Sequence, residues 1–191
     1  MSREIPVETS ARHVHLSARD LETLFGKGAI LSPARELSQP GQFLANERLT
    51  LVGPKAAVER VAVLGPLREK TQVEISRTDC FSLGVSAPVR ESGDLENSGA
   101  IRLVGPAGVL DLSSGVIVAK RHLHCSFDEA TELGVSNGEE VSVRINSPDR
   151  STVFEKVVVR VRDDFRLTLH LDTDEANASG AVPGITGEIV R

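Results

Sequence analysis

Short runs of alternating apolar and polar residues, each closed by Gly, Pro, Asn or Asp, recur along almost the whole chain, and they restrict it to a strand-built fold. Leu49 to Val52, Val58 to Leu64, Gln72 to Ser76, Ile101 to Val104, Val116 to Ala119, Val141 to Ile145, Val153 to Val161 and Leu167 to Leu171 all carry the period of two that puts alternate side chains on opposite faces. Helical signals are few: Ser17 to Phe25 before Gly26, Ser126 to Leu133 before Gly134, and a short turn near Asp174 to Ala178. Many short strands with brief helices favour closed or nearly closed β-barrels with helical caps over a βαβ sheet.

One repeat organises the chain. Arg12-His13-Val14-His15-Leu16-Ser17 matches Arg121-His122-Leu123-His124-Cys125-Ser126, and each copy leads into a helix start with Ser as N-cap and an acid three residues on, Asp20 or Glu129. Leu51-Val52-Gly53-Pro54 is echoed by Leu103-Val104-Gly105-Pro106, a strand ended by a turn. Two related halves follow from these echoes. Glu91 to Gly99 reads as a polar loop.

Residues i and i+2 of a strand share a face, so His13 and His15 point together, as do His122 and His124. In Leu167-Thr168-Leu169-His170-Leu171 the leucines take one face and leave His170 on the other. All five histidines of the chain therefore oppose an apolar strand face. Five solvent-facing histidines would give the same pattern, but the duplication favours metal ligation, because two His-x-His pairs and a fifth imidazole can furnish two divalent sites. Cys125 faces away from His124 and reads as a small buried residue. Glu74 alternates with Val73 and Ile75 and could complete a site, although a solvated strand glutamate is the plainer reading. Arg68 follows the turn at Gly65-Pro66 and could hold an oxyanion with two parallel bonds, although a surface arginine is again the plainer reading.

Charge and composition exclude other roles. With 22 basic against 27 acidic residues, a net charge of −5 and no basic run, nucleic acid is not expected as a partner. Tyr and Trp are absent, so there is little to stack on bases. No apolar stretch approaches the roughly 20 residues of a membrane span, and no secretory signal opens the chain. Two cysteines, Cys80 and Cys125, do not make a disulfide framework. A cytoplasmic setting without membrane partners is the expectation.

Taken in order, Ser10 to Ser17, Leu37-Ser38-Gln39-Pro40-Gly41-Gln42-Phe43, Leu64-Gly65-Pro66, Gln72-Val73-Glu74-Ile75-Ser76, Arg121-His122-Leu123-His124 and Leu171-Asp172-Thr173-Asp174-Glu175-Ala176-Asn177-Ala178 resemble the PduL-type phosphotransacylases, or phosphate propanoyltransferases, from about Ile5 to the C-terminus. The resemblance implies a mainly β fold of two β-barrel domains capped by short α-helices, with an active-site cleft between them. It implies one barrel from residues 12–119 and a second from 1–11 and 120–191, an interleaving that periodicity does not reveal. It further implies two zinc ions, one held by His13, His15 and Glu74 and the other by His122, His124 and His170. Arg68 falls at the phosphate-binding arginine of the family, and Thr9, Ser10, Lys55 and Asn177 fall at coenzyme A contacts. Ala62 stands where the family pattern has a basic residue. His-Leu-His-Cys replaces the commoner His-Ile-His-Met.

The implied reaction interconverts a short-chain acyl-CoA, propanoyl-CoA or acetyl-CoA, plus phosphate with acyl phosphate plus coenzyme A. Acetyl and propanoyl differ by one methylene, which a pocket discriminates weakly. A zinc-dependent hydrolase of a thioester is the alternative that uses the same ligands, and a non-catalytic barrel joined by its metals is a third. Microcompartment-targeted relatives carry an amphipathic N-terminal extension, whereas this chain reaches its first motif within a dozen residues, so a free cytoplasmic enzyme is expected. The oligomeric state, homo-oligomer included, is left open.

Overall fold

Strands dominate the structure, a computed structural model that describes residues 3–191. In chain order the described residues form β1 (Ile5–Ser10), β2 (His13–His15), α1 (Ala18–Phe25), β3 (Pro33–Glu36), β4 (Phe43–Val52), β5 (Ala57–Gly65), β6 (Gln72–Glu74), α2 (Arg77–Leu83), β7 (Val89–Arg90) and β8 (Gly99–Val104). The second half follows with β9 (Val109–Ala119), β10 (His122–Cys125), α3 (Phe127–Leu133), β11 (Glu140–Ile145), β12 (Thr152–Val161), β13 (Thr168–Asp172), α4 (Thr173–Ser179) and β14 (Thr186–Val190). The protein is mainly β, with two closed six-stranded barrels and short helices. Among the described residues no helix is long and apolar enough to cross a membrane.

Contacts divide the chain between Ala11 and Arg12 and again between Ala119 and Lys120. In the central unit the ring runs β4, β5, β2, β6, β9, β8 and back to β4, with β3 added beside β4 and β7 beside β9. In the unit built from both chain ends the ring runs β1, β13, β10, β12, β11, β14 and back to β1. The two rings share one pattern. β2 lies parallel to β5 and β6 parallel to β9, while β10 lies parallel to β12 and β13 parallel to β1. By this correspondence β9 occupies in its ring the place of β1 in the other, yet each precedes an Arg-His-x-His strand that belongs to the opposite unit. The two repeats have exchanged their first strands, which is why the terminal unit needs residues from both ends.

Each barrel fills with the apolar sides of its strands. Val14, Leu16, Val73 and Ile75 enter one core with Leu21, Leu24 and Leu83. Leu123, Cys125, Leu169 and Leu171 enter the other with Val143, Ile145, Val157 and Val159. Burying an aliphatic side chain of this size contributes about 2 kcal/mol each, so the ligand-bearing strands are anchored from behind by their own alternate residues. Cys80 and Cys125 are buried free thiols, and burial pushes the Cys125 thiol up to about 11.

The Leu-Val-Gly-Pro echo has a shared purpose that the sequence reading did not assign. A Cβ on Gly53 would overlap the Leu83 carbonyl oxygen at the end of α2, and one on Gly105 would overlap the Leu24 carbonyl oxygen near the end of α1. Two residues further on, Lys55 N donates to Leu83 O at 3.0 Å and Ala107 N to Leu24 O at 2.9 Å. Each turn thus satisfies a C-terminal helix carbonyl that would otherwise lack a partner, and only glycine allows the approach.

Candidate metal centres

A two-residue step leads from ligand strand to helix four times over. His15 is followed by Leu16 and the N-cap Ser17, Glu74 by Ile75 and the N-cap Ser76, His124 by Cys125 and the N-cap Ser126, and His170 by Leu171 and the N-cap Asp172. The cap side chain accepts the backbone N–H three residues on in every case, from Asp20, Asp79, Glu129 and Glu175. A buried apolar residue between ligand and cap fixes the face that the ligand presents, and the cap turns the chain at once into the helix.

In the central unit the antiparallel pairing of β2 and β6 sets His13 directly opposite Glu74 and His15 opposite Gln72. His13, His15 and Glu74 are all buried, and their donor atoms lie within 4.8 Å of one another. Glu74 is therefore not the solvated strand residue that was the plainer sequence reading. Its two oxygens are differently engaged. Oε1 accepts from Gln72 Nε2 and from Ser92 Oγ at 3.1 Å, while Oε2 lies 3.5 Å from His13 Nε2. Burial alone would lift this carboxyl, yet His13, His15 and Arg68 around it hold it below its usual range. Ser92 Oγ also accepts from Gln72 Nε2 at 2.9 Å and from Arg68 Nη1 at 2.8 Å. Gln72 Oε1 in turn accepts the Gly93 N–H at 2.7 Å. Arg68 is half-buried and anchored by its backbone, Arg68 N donating to Leu16 O at 2.9 Å. It also lines a cavity of about 1080 Å³ with Ser17, Arg19, Lys70, Thr71 and the loop from Gly93 to Asn97.

In the terminal unit β10 and β13 set His122 opposite His170. His122, His124 and His170 cluster with donor atoms within 4.8 Å and ring centroids 4.6 to 5.0 Å apart. His122 Nδ1 lies 2.9 Å from Lys120 O, a bond that makes Nδ1 the protonated nitrogen and leaves Nε2 as the lone-pair donor. His124 packs on Phe165 at 4.0 Å between ring centroids.

Both clusters fit a divalent metal. Buried polar atoms in native proteins are nearly always satisfied, yet His15 Nδ1 and both ring nitrogens of His124 have no hydrogen-bond partner among the described residues. Burial, with His13 beside it, pushes His15 well below its usual value, and burial with His122 and His170 pushes His124 down to about 2. These imidazoles stay neutral, the form a metal requires. Three ligands that include imidazole are a zinc-like donor set with room for a further group.

Thr9 and Ser10 lie on β1 opposite Leu171 and Asp172, and Asn177 is exposed on α4. Lys55 stands in the turn between β4 and β5 with its Nζ 4.6 Å from the Phe81 ring centroid. Ala62 pairs with His13 on one side and Arg48 on the other. Sequence reasoning did not single out Gln72, Ser92, Asp79 or α2. Gln72 was within reach, since it sits two residues before Glu74 and so shares its face.

Comparison with known proteins gives the chemistry its class. The sequence model of the phosphate propanoyltransferase family matches residues 6–182. A phosphate propanoyltransferase of Thermotoga maritima is 56% identical over 175 residues, covering 92% of this chain and 83% of that protein. One from Leptotrichia buccalis is 51% identical over 185 residues, covering 97% and 87%. One from Salmonella typhimurium is 53% identical over 179 residues, covering 94% and 85%. The chain is an enzyme of the phosphate acyltransferase class. It belongs to the phosphate propanoyltransferase family.

Proposed function

We propose that the protein interconverts a short-chain acyl-CoA, propanoyl-CoA or acetyl-CoA, and phosphate with acyl phosphate and coenzyme A, and that it does so with zinc at both clusters. His13, His15 and Glu74 would hold one ion, and His122, His124 and His170 the other. Bound zinc supplies Lewis acidity toward a carbonyl or phosphate oxygen and lowers the cost of a leaving thiolate. The arrangement that supports this reading is the Arg68 guanidinium joined through a single hydroxyl, Ser92 Oγ, to the Glu74 carboxylate of a metal-competent cluster. A guanidinium held in that position gathers phosphate by paired N–H donors and offsets its charge.

A phosphate oxygen attacks the thioester carbonyl carbon; the new C–O bond forms as the C–S bond breaks, and the sulfur leaves with the bonding electron pair. Direct transfer suits the side chains present. Both cysteines are buried with their thiols raised, which leaves little thiolate and makes them poor nucleophiles. Thr9, Ser10, Lys55 and Asn177 are assigned to coenzyme A. Arg48, directly across from Ala62, offers a cation one strand away from the position where the family pattern has one.

Arg68→Ala tests this reading. The phosphate concentration needed for half-maximal thiol release should rise at least tenfold while the acyl-CoA requirement changes little, the loss of one charge-assisted contact being worth about 1.5–3 kcal/mol. Unchanged phosphate dependence would remove Arg68 from the reaction, and a hydrolase would tolerate the substitution.

A further inference from the structure

The arginine of each Arg-His-x-His unit ligates nothing, yet it recurs with the histidines. In the central unit Arg12 donates through Nε at 2.9 Å to Asp79 Oδ1, with Nη2 2.7 Å from the same oxygen. Asp79 is the third residue of α2, and its other oxygen, Oδ2, accepts the backbone N–H of the cap Ser76 at 3.2 Å. Ser76 lies two residues beyond Glu74. In the terminal unit Arg121 Nε lies 2.7 Å from Glu175 Oε1. Glu175 is the third residue of α4, and its Oε2 accepts the backbone N–H of the cap Asp172 at 3.1 Å. Asp172 lies two residues beyond His170. The two arrangements divide the labour of the carboxylate identically, one oxygen for the cap and one for the arginine.

Each bridge joins the two strands that carry the ligands of one cluster. Arg12 precedes His13, which is paired with Glu74, and Arg121 precedes His122, which is paired with His170. We propose that Arg12 and Arg121 are positioning residues, each clamping its His-x-His strand to the capped helix behind the third ligand and so holding the three donors of its own cluster at metal-binding spacing. The proposal rests on the reading that both clusters bind metal. An ordinary exposed ion pair would contribute about 1 kcal/mol or less to stability and nothing specific to a site. Here the acid ends are sheltered, with side-chain exposure of 6% for Asp79 and 17% for Glu175. Metal distances tolerate only about 0.2 Å, so angular play between two short strands is felt first as lost affinity. Removal of outer-shell partners of metal sites typically costs 10–100-fold in affinity.

Zinc titration of the full chain against a chromophoric chelator resolves the two sites, and His15→Ala and His124→Ala assign each step to its cluster. Arg12→Ala should weaken zinc about tenfold or more at the His13–His15–Glu74 cluster and leave the other cluster unchanged; Arg121→Ala should do the reverse. Arg12→Lys should retain most of the affinity. Arg12→Gln, which keeps much of the stem packing, is the variant to read if Arg12→Ala does not fold. Two zinc equivalents in the parent chain with unchanged or equally weakened sites in both arginine variants would overturn the clamp and leave the metal reading standing. A parent chain that takes up no zinc would overturn both.

Discussion

His124 carries a desolvation cost that a bound metal would offset. Both of its ring nitrogens are buried without a hydrogen-bond partner among the described residues, and its pKa is pushed down to about 2 by burial and by His122 and His170. His15 is shifted in the same direction. In the metal-free chain these rings stay neutral when folded but take up protons near pH 6.5 when unfolded. Acid therefore favours the unfolded state, and stability falls as pH drops below about 6.5, by up to about 1.4 kcal/mol per pH unit for each ring. Glu74, held below its usual range, contributes stability above about pH 4.5 that is lost as pH falls further, so it adds to the same trend. Chemical denaturation of the chelated protein from pH 8 to pH 4.5 should show a plateau and then a decline that begins near pH 6.5. A flat profile down to pH 5 would contradict the burial of neutral imidazoles.

At the scale of elements, most strand faces were legible because a period of two fixes which side chains share a side, as it did for His13 with His15 and for His122 with His124. Boundaries were less so. The run Gln72 to Ser76 reads as one strand, but β6 ends at Glu74 and Ser76 is the cap of α2. That helix is not legible in the sequence because Arg77–Leu83 buries only Asp79, Cys80 and Leu83 and leaves Phe81 exposed, which is too little for a clear helical stripe. Its signal was the capping grammar, Ser76 with Asp79 and Gly84 at the end, the same grammar already visible at Ser126, Glu129 and Gly134. β1 is hard to read from sequence for a related reason, since only Ile5 and Val7 face its core. The glycines of the Leu-Val-Gly-Pro turns belong at this scale too. Gly53→Ala and Gly105→Ala should each destabilise the protein by about 1–3 kcal/mol in urea titration, because the new methyl meets a helix carbonyl that cannot retreat from a packed core. A cost below about 0.5 kcal/mol at both would show that the helix ends yield freely.

At the scale of the molecule, the exchange of β1 and β9 between the repeats could not be read from periodicity, because alternation assigns faces and not partners. Pairing decides it: β1 bonds to β13 and β14, β9 to β6 and β8. The same physics explains why the metal-competent clusters were only partly visible. The His-x-His pairs are local, but Glu74 and His170 join them across strand pairings of long sequence separation, and Gln72, Ser92, Asp79 and Glu175 support them only once the barrels close.

The central claim is that this chain transfers an acyl group between coenzyme A and phosphate with metal at its histidine clusters. The most direct measurement is release of free thiol from propanoyl-CoA and acetyl-CoA by the purified protein, with phosphate present or absent and with or without prior chelation. The account predicts release that requires both phosphate and metal and that returns when zinc is restored. Release that proceeds equally without phosphate, or that survives complete removal of metal, would contradict it.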